Sequence, residues 1–141
     1  MKIGIANDHR GVKLKEELIC YLKEKYDIIN FGTNTDEPVD YPIYAKKVGE
    51  AVKNKKIEKG ILICRTGIGM SISCNKIKTV RCAKVNTVEE AYLSRIDNDA
   101  NVIALSYSIP LEENKKIIDT FLETSFTNIE RHVRRINLID S

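Results

Sequence analysis

The stretch GILICRTGIGMS, residues 60–71, decides how the rest of the chain is interpreted. Residues 60–64 are almost entirely apolar, which is typical of a strand that is covered on both faces of a parallel sheet. Gly67 and Gly69 then interrupt the apolar run, and helix-forming residues follow them. The stretch therefore predicts a buried strand, a glycine-containing loop and the N-terminus of a helix, in that order.

Four further β-rich runs occur on either side of this stretch, and amphipathic segments separate them. Strands that alternate with helices indicate βαβ units and a parallel sheet. We therefore predict an α/β fold with a five-stranded parallel sheet, in one domain that spans residues 1–141. The predicted strands are Lys2–Ala6, Asp27–Phe31, Gly60–Cys64, Val80–Val85 and Asn101–Ser106.

Several helix boundaries are marked by local signals. Pro42 and Pro110 stand where the first turn of a helix tolerates proline. Thr87, followed three residues later by Glu90, predicts a capping box. Apolar residues at helical spacing predict a last helix from about Asn128 to Leu138, and a first helix with its Lys and Glu side chains on the solvent side.

Composition excludes several classes of protein. With 43% hydrophobic and 30% charged residues among 141, the chain is typical of a globular protein rather than a disordered one. Its formal charge of +3 gives no electrostatic reason to expect a nucleic acid or membrane-surface partner. No apolar run approaches the roughly 20 residues that span a bilayer, and the first residues do not resemble a secretory signal. We expect a cytoplasmic protein.

The four cysteines show neither a CxxC pair nor a set of histidine partners, which argues against a metal site and a disulfide framework. Cys20, Cys74 and Cys82 fall within apolar periodicity and are expected in the core. Cys64 differs because it directly precedes the glycine loop, where a helix N-terminus and Arg65 would favour the thiolate. A redox role would need a resolving cysteine, and Cys74 is poorly placed for one.

A thiolate at Cys64 could remove a proton from carbon while the N–H groups of the glycine loop stabilise the resulting oxyanion. The competing interpretation is a small buried residue that ends a strand. The loop lacks the endings of the Walker A and G-x-G-x-x-G motifs, so nucleotide binding is disfavoured.

Two other places could bind an anion. His9, with Asp8 beside it, follows the first strand and could donate to a phosphate, although a loop histidine is more often solvated. Arg131 and Arg135 lie four residues apart on one face of the last predicted helix and could grip a phosphate together. A basic helix end that contacts only water is the alternative.

Six short motifs follow one another along the chain: Asp8-His9-x-Gly11, Asp40-Tyr41-Pro42, Ile63–Ser71, Asn75-Lys76, Asn98–Val102 and Arg131-His132-x-x-Arg135. In this order they resemble the ribose-5-phosphate isomerase B family, which includes the subunits of galactose-6-phosphate isomerase. The resemblance implies a Rossmann-like three-layer fold and reversible aldose–ketose isomerisation of a sugar phosphate of the ribose 5-phosphate/ribulose 5-phosphate type, with no metal or organic cofactor.

The resemblance also implies a role for each matched residue. Cys64 would be the base of an enediolate mechanism, and Thr66 would assist at the oxygen atoms. Family sites lie at a dimer interface, so a homodimer or tetramer is implied. The oxyanion would be bound by the backbone of Gly67, Ile68, Gly69 and Ser71. The phosphate would be bound by His9, Arg131 and Arg135. The sugar chain would be held by Asp8, Tyr41 and Asn98.

Two residues depart from the family pattern. Asp97 stands where ribose-phosphate members usually carry the histidine that opens the furanose ring, and Arg65 replaces a glycine. Asp97 could itself be the catalytic acid–base group, or the substrate could be a tetrose 4-phosphate, which cannot form a furanose. A hexose 6-phosphate substrate and a non-catalytic partner subunit are further alternatives. Arg65 is expected to contact an anionic or shorter substrate.

Overall fold

The computed structural model describes residues 1–141 as five strands that alternate with helices, followed by a sixth helix. The elements are β1 (Lys2–Asn7), α1 (Val12–Leu22), β2 (Asp27–Asn30), α2 (Tyr41–Lys53), β3 (Lys59–Cys64), α3 (Ile68–Cys74), β4 (Cys82–Lys84), α4 (Val88–Asn98), β5 (Val102–Ser106), α5 (Leu111–Glu123) and α6 (Glu130–Asp140). None of the helices has the length and apolarity that crossing a bilayer requires.

All five strands are parallel, in the order β2-β1-β3-β5-β4, which confirms the predicted α/β sheet. Residues of α2 and α3 pack on one face of the sheet, and residues of α1, α4 and α5 pack on the other. The chain therefore has the three layers that the resemblance implied. The central strands have apolar sequences because both of their faces are covered.

The helix signals correspond closely to the observed boundaries. Pro42 lies in the first turn of α2, and Pro110 immediately precedes α5. The hydroxyl of Thr87 accepts a hydrogen bond from the amide of Glu90 at 3.1 Å, as a capping residue does. The last helix begins two residues later than predicted, because Asn128 has a positive φ of 57° and interrupts the helical backbone.

Two predictions about α1 were wrong. Lys15 is fully buried, and its ammonium donates to the carbonyl of Thr33 and, at 2.7 Å, to Oδ1 of Asn34. Burial lowers the pKa of Lys15. Cys20, which was expected in the core, is exposed. Positions 15, 18 and 22 face the sheet at helical spacing, and position 20 consequently faces solvent.

Candidate active site

The thiol of Cys64 lies at the end of β3, beneath the loop that leads into α3. Cys64 is buried, and its Sγ accepts a hydrogen bond from the amide of Gly67 at 3.0 Å. Gly67 has a φ of +82°, and a Cβ there would lie 3.1 Å from the carbonyl oxygen of Ala104. A glycine is therefore needed for the loop to fold back over the sulfur.

The backbone amides of this loop are unequally available to a ligand. The amide of Ile68 donates to Oγ1 of Thr66 at 3.1 Å, and the amide of Ser71 donates to the carbonyl of Gly67 at 3.0 Å. The amides of Gly69 and Met70 donate to no group of this chain. Met70 is fully buried, so of these two amides only that of Gly69 can reach a ligand.

Tyr41 lies directly against the glycine loop. It is the first residue of α2, and a Cβ on Gly69 would lie only 2.6 Å from Cζ of the Tyr41 ring. The absence of a side chain at position 69 therefore allows the phenol to pack over the start of α3. This contact brings Tyr41 to the same site as Cys64.

The loop after β1 lies beside the end of β3, since the amide of Asp8 donates to the carbonyl of Ile63 at 3.0 Å. The Asp8 carboxylate accepts hydrogen bonds from the amides of Arg10 at 3.1 Å and Gly11 at 2.9 Å, which fixes the turn into α1. Nδ1 of His9 accepts from the amide of Val39 at 3.4 Å. The Nε2 of His9 is consequently the nitrogen that carries the proton and can donate to an anion.

Asp8, His9, Tyr41 and the segment 64–71 form what we call the carboxyl-edge group, because they lie where the strands end. Ligands of open parallel sheets bind at this edge. The remaining predicted residues, Asp97, Asn98, Arg131 and Arg135, form a second set that we call the amino-edge group.

The amino-edge group lies at the opposite edge of the sheet. Helix α4 has 11 residues, so its end lies about 16 Å from its start at the carboxyl edge. At that end the carbonyl of Asn98 accepts from Nε of Arg81 at 3.1 Å, and Arg81 directly precedes β4. The structure therefore does not bring the two groups together within one chain.

Helix α6 lies across the amino edge. Near its start, Nε2 of His132 is 3.5 Å from Oδ1 of Asp97, and near its end Asp140 pairs with Arg81 at 2.6 Å. The side chain of His132 is 12% exposed, whereas that of Asp97 is 41% exposed. No role was predicted for His132 itself, although it lies within the Arg131–Arg135 motif. No three His, Cys, Asp or Glu side chains form a cluster that could hold a metal ion.

The profile of a family described as ribose/galactose isomerase matches residues 3–139 of this chain. The chain belongs to the ribose/galactose isomerase family. Among curated members, the ribose-5-phosphate isomerase B of Escherichia coli is 39% identical over 140 residues, which cover 98% of this chain and 93% of that protein. The ribose-5-P isomerase B of Listeria innocua is 40% identical over 129 residues, covering 90% of this chain and 87% of that protein.

Solved structures of the family have the same fold as this chain. The type B ribose 5-phosphate isomerase of Trypanosoma cruzi superposes with a TM-score of 0.96 at 42% identity, covering 99% of this chain and 96% of that one. The ribose-5-phosphate isomerase B of Mycoplasma genitalium, solved with bound ribulose-5-phosphate, has a TM-score of 0.91 at 40% identity, covering 98% and 93%. The predicted family resemblance is therefore confirmed.

Proposed function

We propose that this protein is a cytoplasmic aldose–ketose isomerase that acts on a phosphorylated sugar of the ribose 5-phosphate/ribulose 5-phosphate type. The observation that carries the proposal is the buried Cys64 thiol at the carboxyl edge, beside the unpaired amide of Gly69. The activities named for the E. coli and L. innocua relatives support the same reaction.

In the proposed mechanism, the Cys64 thiolate takes the proton from C2 of the open-chain aldose. The C–H electron pair forms the C1–C2 double bond, and the carbonyl electrons move to O1. The amide of Gly69 stabilises this enediolate oxygen, with those of Gly67 and Ile68 beside it. Cys64 then returns its proton to C1, and the hydroxyl of Thr66 relays the O2 proton to O1.

The substrate phosphate is assigned to His9, Arg131 and Arg135, because arginine pairs suit phosphate geometry. Asp8, Tyr41 and Asn98 hold the sugar hydroxyls. Phosphate binding would hold C1 and C2 against Cys64, so that remote binding energy contributes to the rate.

A complete site requires a second copy of the chain, since the two groups lie at opposite edges. We propose a homodimer, or a tetramer built from it, in which the amino-edge group of one chain completes the carboxyl-edge group of the other. Exposed apolar side chains support such pairing: Ile68 and Ile72 on α3 are 52% and 58% exposed, and Tyr92 and Leu93 on α4 are 47% and 41% exposed.

Opening of a furanose ring is assigned to Asp97, with His132 behind it. Asp97 is the more exposed of the two and would contact the sugar. The pair accepts the proton of the C1 hydroxyl as the bond between C1 and the ring oxygen breaks. It gives its own proton to the ring oxygen, so it ends with as many protons as it began with.

The test is exchange of the C2 proton of ribose 5-phosphate in heavy water, followed by proton NMR together with appearance of ribulose 5-phosphate. We expect both with the pentose phosphate. A tetrose 4-phosphate is the second candidate, because Asp97 replaces the usual histidine, and a hexose 6-phosphate completes the panel. Absence of exchange with all three would contradict the isomerase and favour a non-catalytic partner subunit.

A further inference from the structure

A cleft of about 350 Å³ opens at the carboxyl ends of β3, β4 and β5. We call it the loop cleft, because residues of the Cys64 loop form one of its walls. The mechanism above uses little of it. Its polar lining consists of Arg65, Thr66, Lys84, Asn86, Ser106 and Ser108.

The charged side chains of the loop cleft are all positive. Arg65 and Lys84 are its two cations, and neither takes part in any ion pair of the chain. No Asp or Glu lines the cleft, whereas three hydroxyl groups do. Two unneutralised cations, with the Thr66 hydroxyl beside them free to donate, provide the chemistry that binds an oxyanion.

The backbone and hydroxyl groups of the cleft are held by hydrogen bonds. Oγ of Ser106 donates to the carbonyl of Arg65 at 2.5 Å, which ties the Cys64 loop to β5. Oγ of Ser108 lies 2.5 Å from that of Ser106, and the amide of Ser108 donates to Ser106 Oγ at 3.1 Å. Arg65 thus extends from an anchored backbone.

Lys84 is held from the other side. A Cβ on Gly67 would lie 3.2 Å from Cγ of Lys84, so the lysine stem packs under the glycine turn. When the amide of Asn86 is oriented to donate to the carbonyl of Val85, its oxygen accepts from the Lys84 ammonium at 2.8 Å. The ammonium retains two further protons for a ligand.

We infer that the loop cleft binds an oxyanion, a phosphate or a carboxylate, in addition to the sugar phosphate assigned to His9, Arg131 and Arg135. Arg65 directly follows Cys64, so the occupant binds on the same loop as the proposed base. The occupant is either a second anionic group of the substrate or a separate small anion. This inference goes beyond the isomerase activity and does not require turnover.

The experiment is a titration of the full chain with inorganic phosphate, followed by nitrogen–proton NMR of the backbone amides of Thr66 and Ser108. We expect both resonances to shift and saturate. In the double variant Arg65→Gly/Lys84→Met, the apparent Kd from these two amides should rise at least tenfold. Resonances elsewhere report whether that variant has kept its fold.

Two control variants make the readout specific. Lys56→Met removes an exposed lysine outside the cleft and should leave both shifts unchanged. Arg131→Ala/Arg135→Ala should weaken phosphate binding at the proposed substrate site while the shifts of Thr66 and Ser108 persist. If these two amides do not respond to phosphate, or respond equally in Arg65→Gly/Lys84→Met, the inference is overturned.

The same titration, repeated with saturating ribose 5-phosphate, distinguishes the two sources of the anion. If free phosphate still shifts Ser108, a separate anion occupies the cleft. If the sugar phosphate shifts Ser108 itself and excludes free phosphate, the cleft holds the substrate's own anionic group. Failure of the isomerase assay would leave either binding result intact, because the shifts are measured without turnover.

Discussion

A single backbone amide determines where the sulfur of Cys64 can be. The Gly67 N–H points at Sγ from 3.0 Å, and the left-handed turn that aims it requires glycine. This hydrogen bond holds the sulfur at the end of β3, beneath the loop that leads into α3. The neighbouring cysteines lack this arrangement, since Cys74 and Cys82 lie in the core between α3 and β4.

We expect Cys64→Ala to lower kcat by about 10²–10⁴, the usual contribution of a general base, with binding of the sugar phosphate largely retained. Steady-state kinetics and direct binding of ribose 5-phosphate measure the two quantities. Cys20→Ser, at an exposed position on α1, is the matched control and should retain full activity. Normal turnover by Cys64→Ala would show that another group is the base.

Asp97 and His132 should matter only for substrates that must open a ring. We expect Asp97→Asn and His132→Gln each to lower kcat/KM for ribose 5-phosphate at least tenfold, and to leave the isomerisation of a tetrose 4-phosphate within about twofold. Parallel kinetics with the two sugars provide the check. An equal loss with both sugars would indicate a structural role for the pair.

At the scale of elements, α2 and α3 approach each other closely because position 69 has no side chain. The Tyr41 ring occupies the space that a Cβ would take. Packing of this kind is sensitive to one added methyl group, and overpacking typically costs about 1–3 kcal/mol.

Gly69→Ala should therefore lower the free energy of unfolding by about 1–3 kcal/mol in the wild-type background. In the Tyr41→Ala background the same change should cost little, since the obstructing ring is gone and alanine favours helix. Urea unfolding of the four proteins in this cycle measures the coupling. An equal cost in both backgrounds would mean that the ring is not the obstacle.

Lys59, at the start of β3, makes the stability dependent on pH. Burial, with Arg95 nearby, lowers the pKa of Lys59 to about 8, from 10.5. Between these pH values the folded chain holds fewer protons on Lys59 than the unfolded chain does. Its contribution to the free energy of unfolding therefore rises as the pH increases from 8 to 10.5.

Removing the Lys59 amine should remove its contribution to the slope of the free energy of unfolding against pH. In Lys59→Met, the free energy of unfolding should rise less, or fall more, from pH 8 to 10.5 than in the wild type, as measured by urea unfolding. Lys56→Met, at an exposed position, should keep the wild-type profile. A Lys59→Met profile parallel to that of the wild type would contradict the lowered pKa.

The elements that could be predicted from the sequence are those with a local cause. Each strand overlaps one of the predicted β-rich runs, although β4 is three residues shorter than the predicted Val80–Val85. The cap of α4 needs only Thr87 and Glu90. Burial of Lys15 was not predictable, because its acceptors Thr33 and Asn34 lie in a distant loop. The 3.5 Å contact of Asp97 with His132 likewise depends on how α6 crosses the sheet edge.

The residues of the candidate site likewise include some that could be predicted from the sequence and some that could not. Residues of the Cys64 loop could be assigned from their order along the chain, because loop, cap and strand end are contiguous. The motifs did not reveal that the site residues lie at two opposite edges of the sheet. A motif gives the order of residues along the chain, and not the direction in which α4 runs back along the sheet. Which amides of the loop remain unpaired also required coordinates, since the hydroxyl of Thr66 and the carbonyl of Gly67 each occupy one.

At the scale of the whole molecule, the proposed dimer predicts complementation between inactive chains. Cys64→Ala damages the carboxyl-edge group and Arg131→Ala/Arg135→Ala damages the amino-edge group. After equal mixing, unfolding and refolding, half of the dimers would be mixed, and each would contain one intact site, so about a quarter of the wild-type activity should return. An activity assay of the refolded mixture measures this, and no recovery would contradict shared sites.

The length of α4 has a further consequence in the proposed dimer. Helix α4 is a rigid rod of about 16 Å, so no local motion of a single chain can bring its amino-edge group to its own Cys64 thiol. The number of complete sites is then set by the equilibrium between single chains and dimers, whatever the sugar concentration. Turnover per chain would depend on how concentrated the protein is, and dilution alone would act as an inhibitor.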